Sequence, residues 1–447
     1  MTATQTLAQH ITSTKSESLP DWIFHESKRT LVNMLAISLS ASEAAPVLAL
    51  TDWAREEEAK GRATAIGSGL RTSPTIATLL NGYMAHLQDY DDTHFPTVLH
   101  PTAPVWPAIL ALAEDIGASG HDSLAAFAIG AEVACRVSMS VHPWHYDAGW
   151  HITGTAGVFG AVAGAGWLLG LTAEQMFNAL AIGGTQASGV REVFGSDTKA
   201  LHPAKAASNG LQAVMLAKAG FTGPDDIIGG RRGFWEVLSA AGHNEEELTG
   251  GWGERWAFAS NGLKPYANGV VSHPIQDAVI KLRNEHNIKP EDVAGIKAYV
   301  HPLVFELMNR AEPSRALEGK FSFQHCAAAA LVDGAGHDAQ FTDAKVLDPV
   351  ISGVRAKVSA EIDPTKKEES ARVVITLNDG TILQETTEHA TGSPENPMSD
   401  EVLEAKYSTL ATAIIGKAQA DELLSAAWAL NSASDIKQVT TLMVKKG

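Results

Sequence analysis

Between about Leu19 and Leu263, apolar residues recur at three- and four-residue intervals, the period that brings them to one face of an α-helix. In Asp122 to Val141 the apolar positions are Leu124, Phe127, Ala128, Ala131, Ala134 and Val137, and Gly117 and Gly120 punctuate the start. Thr172-Ala173-Glu174-Gln175 reads as a capping box, in which a hydroxyl and an amide satisfy each other's backbone N–H groups, and it opens a helix through Met176, Leu180 and Ile182. From Ala156 to Leu171 the chain is apolar on nearly every face and carries Gly157, Gly160, Gly164, Gly166 and Gly170. Such a helix is expected to be buried all round, its glycines letting neighbours approach closely.

After Lys264 the period changes. Helices are expected from Pro274 to Glu285 and from Phe321 to Asp333, while Ile296-Lys297-Ala298-Tyr299-Val300 alternates as a strand does. Arg372 to Thr387 reads as two strands joined around Asn378-Asp379-Gly380, and Val346 to Val358 continues the mixed pattern. Gly392-Ser393-Pro394-Glu395-Asn396-Pro397 breaks regular structure, and helical periodicity returns from Ser399. The expected fold is mostly α. A large all-helical domain comes from residues 1–263 and 396–447, and a smaller α+β domain, residues 264–395, is inserted before the C-terminal helices.

Composition narrows the function. Of 447 residues, 45 % are apolar, ample for a packed core, and Lys plus Arg against Asp plus Glu gives 34 − 51 = −17. That balance argues against nucleic acid as a partner but does not prevent a local basic pocket. Two cysteines, Cys135 and Cys326, are too few for a disulfide framework, a four-cysteine zinc site or an iron–sulfur cluster. Met1 to Pro20 is polar and lacks the apolar core of a secretory signal, Met1 to Lys15 lacks the arginines of a transit peptide, and no uninterrupted apolar run suits a membrane span. The expectation is a cytoplasmic protein without a membrane partner. There is no G-x-S-x-G elbow, P-loop, H-E-x-x-H or strand-borne G-x-G-x-x-G. The Gly154, Gly157 and Gly160 run lies in a helical context, which suits helix packing better than a phosphate cradle.

Polar residues concentrate in five places. Asp89-Tyr90-Asp91-Asp92-Thr93-His94 with His100-Pro101 puts three carboxylates within four residues at the end of an apolar helix. Burying them requires cations or shared protons; the plainer reading is a solvated helix end. The same D-x-D-D string occurs in cyclases that protonate isoprenoid double bonds, although 6 % aromatic residues is lean for a carbocation pocket. His142, His145 and His151 have only Asp147 as a nearby carboxylate, so no metal site is expected there. Lys199 and His202 fall one helical turn apart. Lys264-Pro265-Tyr266 with His273-Pro274 sits where the texture shifts, and Ser322-Phe323-Gln324-His325-Cys326 opens an apolar helix in which His325 is either a site residue or a hydrogen-bonded core histidine.

Taken in order, Asn81-Gly82, Asp89-Tyr90-Asp91-Asp92-Thr93, His100-Pro101, Gly149-Trp150-His151-x-Thr153-Gly154-Thr155-x-Gly157, Lys199-x-x-His202, Lys264-Pro265-Tyr266, Gly319-Lys320-Phe321-Ser322 and Asn396-Pro397-Met398-Ser399 resemble the MmgE/PrpD family over nearly the whole chain. The resemblance implies a helical domain built from both ends of the chain, an α+β lid domain, a homodimer, and action without metal or other cofactor on small di- and tricarboxylates. Members include 2-methylcitrate dehydratase, cis-aconitate decarboxylase and iminodisuccinate epimerase. Their shared problem is a carbanion beside a carboxylate, which calls for cations on the carboxylates and an acid or base working near neutrality.

By matching positions, the resemblance suggests a pocket of Asp89, Thr93, His100, His151, Lys199, His202, Lys264, His273 and His325. His151 would transfer the proton, Lys199 and Lys264 would clamp carboxylates, Asp89 would orient or charge a nearby His or Lys, and His100 and Thr93 would orient substrate. The chain departs from the family twice. His100-Pro101-Thr102-Ala103 replaces the His-Pro-Ser-Asp of methylcitrate dehydratases, and His325 stands where decarboxylases and dehydratases carry a tyrosine. A second imidazole suits proton exchange from two faces. The expected activity is therefore a dehydratase or cis-aconitate-type decarboxylase. Epimerisation of a dicarboxylate such as iminodisuccinate is the alternative, and a non-catalytic helical scaffold or a D-x-D-D cyclase are the readings of another class.

Overall fold

Helical period and apolar stripe agree along most of the chain, and the computed structural model, which describes residues 1–445, is mostly α: 58 % helix against 10 % strand. Its contacts divide it into two units. The first comprises Met1–Leu87, Asp91–Asn261 and the chain from Ser399 onward; the second comprises Gln88–Tyr90 and Gly262–Met398.

In the first unit, helices α1 (Pro74–Leu87), α2 (Thr102–Ile116), α3 (Gly120–Val141), α4 (Ile152–Leu168) and α5 (Thr198–Lys218) pack on one another, with α4 at the centre against α2, α3 and α5. Every residue of α4 from Ile152 to Gly166 is buried, as its all-round apolar sequence requires. Glycine is obligatory where α3 crosses α4. A Cβ on Gly130 would lie 2.7 Å from the Gly160 carbonyl oxygen, and one on Gly160 would lie 2.7 Å from that of Gly130. Helix Asp400–Ile415 packs on Asp21–Ala41 within the same unit, where Arg29 pairs with Asp400 and Lys406 Nζ donates to Asn33 Oδ1 at 2.7 Å.

Contrary to the sequence expectation, α3 is long and apolar enough to cross a membrane by length and composition. Yet 94 % of its most apolar window is buried, and it carries the buried pair Glu132 and Arg136, whose Glu132 also accepts from the Ala257 and Phe258 N–H groups. It reads as the core helix of a packed bundle.

The second unit contains α6 (His273–His286), β1 (Val293–Val300), α7 (Phe323–Asp333), β2 (Val358–Ile362), β3 (Ala371–Leu377) and β4 (Ile382–Thr387). The sheet order is β2-β1-β3-β4, with β1 parallel to β2 and the other pairs antiparallel; Ala298 stands opposite both Ala360 and Val373. Helix α6 packs on β3, β4 and α7. The β3–β4 turn forms around Asn378-Asp379-Gly380, closed by Leu377 N–H donating to Thr381 O, with Gly380 at φ +87°.

Candidate active site

Helix ends assemble the first unit's polar group. Helix α1 delivers His86 in its last turn, the segment from Asp91 to His100 leads into α2, His151 is the N-cap of α4, and Lys199 and His202 occupy the first turns of α5. His86 Nδ1 lies 2.7 Å from Asp91 Oδ2, both side chains fully buried. His100 Nδ1 donates to the Asp92 carbonyl at 2.6 Å, lies 3.6 Å from Asp91 Oδ1 and 3.3 Å from Thr93 Oγ1, and the His100 backbone N–H donates to Thr153 Oγ1.

The four imidazoles run in series. Ring centres are 4.8 Å apart for His100 and His86, 5.7 Å for His86 and His151, and 5.2 Å for His151 and His202, whose Nδ1 atoms are 3.0 Å apart. The Lys199 ammonium sits 5.3 Å from the Phe194 ring, which meets His151 edge-on. Thus Thr93, His100, His151, Lys199 and His202 come together in one unit.

The adjacent carboxyls divide their roles. Asp91 faces the His86 imidazole, whereas Asp92 accepts from Thr102 Oγ1 at 2.7 Å, Asn261 Nδ2 at 2.8 Å and the Thr102 N–H at 3.3 Å. Burial first, and the neighbouring Asp91 charge second, push Asp92 up to about 7 against those hydrogen bonds. Both carboxyls are fully buried, so the solvated-helix-end reading is overturned.

Burial, Lys199 and the surrounding imidazoles hold His151 well below the usual histidine range, and burial, His86 and the lysines Lys199 and Lys205 bring His202 to about 4. Both rings are neutral at neutral pH. The His142, His145 and His151 grouping does not form a site, because His145 is committed to the Leu238 carbonyl and the Thr155 hydroxyl, each at 2.7 Å.

The second unit holds the other candidates. Lys264 Nζ contacts Asp89 Oδ1 at 3.2 Å and donates to the Asp89 carbonyl at 3.1 Å, so its charge is already balanced by the carboxylate it was expected to work beside. Asp89 itself adopts a left-handed backbone, φ +52°, which aspartate tolerates better than most residues. His273 Nε2 lies 3.3 Å from the Asn268 carbonyl, its ring edge-on to Tyr266.

His325 is fully buried. Its Nε2 donates to the Gln340 carbonyl at 3.0 Å, Arg355 Nη1 lies 3.5 Å from its Nδ1, and burial lowers it to about 4. Both ring nitrogens therefore face protein groups.

Sequence reasoning assigned no role to His86, Asn261 or Lys320. Lys320 Nζ donates to the Gln88 carbonyl (2.8 Å), the Ala267 carbonyl (3.1 Å) and Asp338 Oδ1 (2.7 Å), so two buried lysines, Lys264 and Lys320, hold the backbone of residues 88–90. His86 had a faint signal as the one imidazole in Tyr83-Met84-Ala85-His86-Leu87.

Among the described residues, two sets of side chains converge closely enough to share a cation: His86, Asp91 and His100 in the first unit, and Glu369, His389 and Glu395 in the second. In the first set the Nδ1 atoms of both histidines already serve Asp91 and the Asp92 carbonyl, which suits hydrogen bonding better than coordination.

The family model of the MmgE/PrpD N-terminal domain matches residues 5–247, and that of the MmgE/PrpD C-terminal domain matches residues 266–431. Cis-aconitate decarboxylase of Mus musculus is 27 % identical over 98 % of this chain and 93 % of its own length, and that of Homo sapiens is 26 % identical over 98 % and 94 %. Cis-aconitate decarboxylase of Aspergillus terreus (strain NIH 2624 / FGSC A1156) is 29 % identical over 86 % of this chain and 84 % of its own.

Proposed function

Because the chain belongs to the MmgE/PrpD family, we propose that it is a lyase acting without a cofactor on a small di- or tricarboxylate, with decarboxylation of cis-aconitate as the first reaction to test and dehydration as the second. The observation that carries this reading is the neutral, buried His151 at the N-terminus of the 17-residue helix α4, beside Lys199. A helix N-terminus and an ammonium favour a carboxylate, and an imidazole there can move a proton next to it. Full-length similarity to decarboxylases supports the choice of substrate.

In decarboxylation the bond to the departing carboxylate breaks, carbon dioxide leaves, and the electron pair left on carbon takes a proton, which protonated His151 supplies. In dehydration neutral His151 removes the proton from carbon beside a carboxylate, and hydroxide leaves with a proton as water. At rest His151 is neutral, so decarboxylation couples to proton uptake: an anionic substrate offsets the Lys199 charge that helps keep the proton off the ring. Thr93 and His100 orient the substrate. In the second unit, Asp89 holds the Lys264 ammonium. Epimerisation of a dicarboxylate such as iminodisuccinate is the alternative reading. A homodimer is part of the reading and is checked by light scattering.

The test is an NMR screen of cis-aconitate, citrate, 2-methylcitrate and iminodisuccinate in heavy water. The expected result is loss of carbon dioxide from cis-aconitate with one deuterium placed on carbon, abolished by His151→Ala. Exchange at carbon without net conversion would indicate an epimerase instead. Wild-type turnover by both His151→Ala and Lys199→Ala would remove the assignment, and absence of binding to every acid in calorimetry would favour a scaffold.

A further inference from the structure

We propose that His202 is a positioning residue that fixes the tautomer of His151: its Nδ1 accepts the His151 Nδ1 proton and thereby leaves the His151 Nε2 lone pair available for reaction. The inference rests on the reading of His151 as the proton-transfer group and gives His202 a different task from the substrate binding expected of it.

The contact joins Nδ1 to Nδ1 at 3.0 Å. A neutral imidazole has one N–H and one lone pair, so one ring donates and the other accepts; two imidazolium rings would present proton to proton. If His202 donated, the only proton of His151 would sit on Nε2 and that atom could not act as a base. If His202 accepts, His151 carries its proton on Nδ1 and offers Nε2.

The surroundings favour the second arrangement. The charged and titratable groups acting on His151 are Lys199, His86, His202 and His100, and those on His202 are His86, Lys199 and Lys205, so the local field keeps both rings uncharged. His202 is half-buried, and its Nε2–H form is easily hydrated, whereas His151 is 2 % exposed.

Two glycines hold the pair in register. The Gly189 carbonyl accepts the His151 backbone N–H at 2.9 Å, while a Cβ on Gly189, whose φ is +128°, would fall 2.8 Å from His202 Nδ1. A Cβ on Gly154, in the first turn of α4, would lie 2.9 Å from His202 Cβ. The loop and the helix thus close on the His202 ring from two sides and limit its rotation.

Chemically the arrangement differs from His86, which is backed by the carboxylate of Asp91. A neutral partner does not charge His151 in advance. Once His151 takes a proton, the same contact becomes charge-assisted and stabilises the imidazolium during the step. His151 is thereby kept as a weak base at rest and supported only when it is used.

The experiment compares His202→Asn, whose amide oxygen can accept near the Nδ1 position, with His202→Leu, which fills the space without an acceptor. In the resting protein, nitrogen-15 NMR of the His151 ring, identified by its loss in His151→Ala, is expected to show Nδ1–H in wild type and His202→Asn but a shift toward Nε2–H in His202→Leu. In turnover, kcat is expected to fall about 10- to 100-fold in His202→Leu, the range seen when a partner that orients a histidine is removed. KM is expected to stay within about twofold of wild type, and His202→Asn to recover most of the loss.

A resting His151 protonated on Nε2 overturns the inference, as do equal kcat losses in both variants, which indicate a structural role, or a loss carried by KM, which indicates substrate binding. The NMR readout needs no turnover. An active His151→Ala enzyme would therefore defeat the proposed function while the tautomer remained measurable, and an inactive one with the wrong tautomer would defeat this inference alone.

Discussion

Replacing Asp92 by asparagine isolates the energetic consequence of burying two neighbouring carboxyls. In the folded protein Asp92 rises from 3.8 to about 7, chiefly through burial and then through the Asp91 charge. Below 3.8 both folded and unfolded chains hold the proton, and the contribution of the group to stability is fully present. As pH rises, the unfolded chain ionises first, and stability is lost until the folded carboxyl has also ionised above about 7.

At about 1.4 kcal/mol per pH unit, the whole interval is worth about 4 kcal/mol, of which about 2 kcal/mol falls between pH 5 and pH 7. The variant lacks this dependence. Its amide can still accept from Thr102, and the Asn261 amide, whose Oδ1 is buried without a hydrogen-bond partner, can turn to accept from the new amide N–H. Urea unfolding of both proteins across pH 5 to 8 is the assay. Asp92→Asn is expected to gain about 2 kcal/mol or more on wild type across that range and to be the more stable protein at pH 8. Parallel stability curves would refute the reasoning, because the carboxyl would then titrate alike in both states.

Other consequences are open to measurement. In decarboxylation, where protonated His151 supplies the proton, kcat/KM should fall as pH rises, on a limb that begins well below pH 6.5 because the ring is held below the usual histidine range; Lys199→Met should move that limb upward, since Lys199 follows burial among the causes, and should raise KM for anionic substrates. Gly130→Ala drives a methyl against the Gly160 carbonyl and should destabilise the protein by about 1–3 kcal/mol, read as an earlier thermal midpoint. Dialysis against EDTA should leave turnover unchanged, and lost activity restored by added metal would contradict the cofactor-free reading.

Much of the fold was legible because local period and cap chemistry act over a few residues. The Thr172 capping box, the all-apolar α4 and the β3–β4 hairpin all stand where pattern placed them. Strand β2 was not legible: it lies at the sheet edge with its residues half-buried or exposed, so no strict alternation marks it. Within the site, the Lys199 and His202 spacing was readable because α5 is regular. The pairing of Lys264 with Asp89, 175 residues away, and of Asn261 with Asp92, 169 residues away, was not.

The sequence by itself determined which side chains were available: a mostly helical chain, a dense run of carboxylates, histidines and lysines in family order, and too few cysteines for an iron–sulfur centre. Only the tertiary structure decided what each does. It gave Asp91 an imidazole, pushed the Asp92 carboxyl up, paired Lys264 with Asp89, buried His325, and set His202 against His151. Helical period is a property of neighbours along the chain. Protonation depends on desolvation and on charges a few ångströms away, and those neighbours come from segments that meet only when the chain folds.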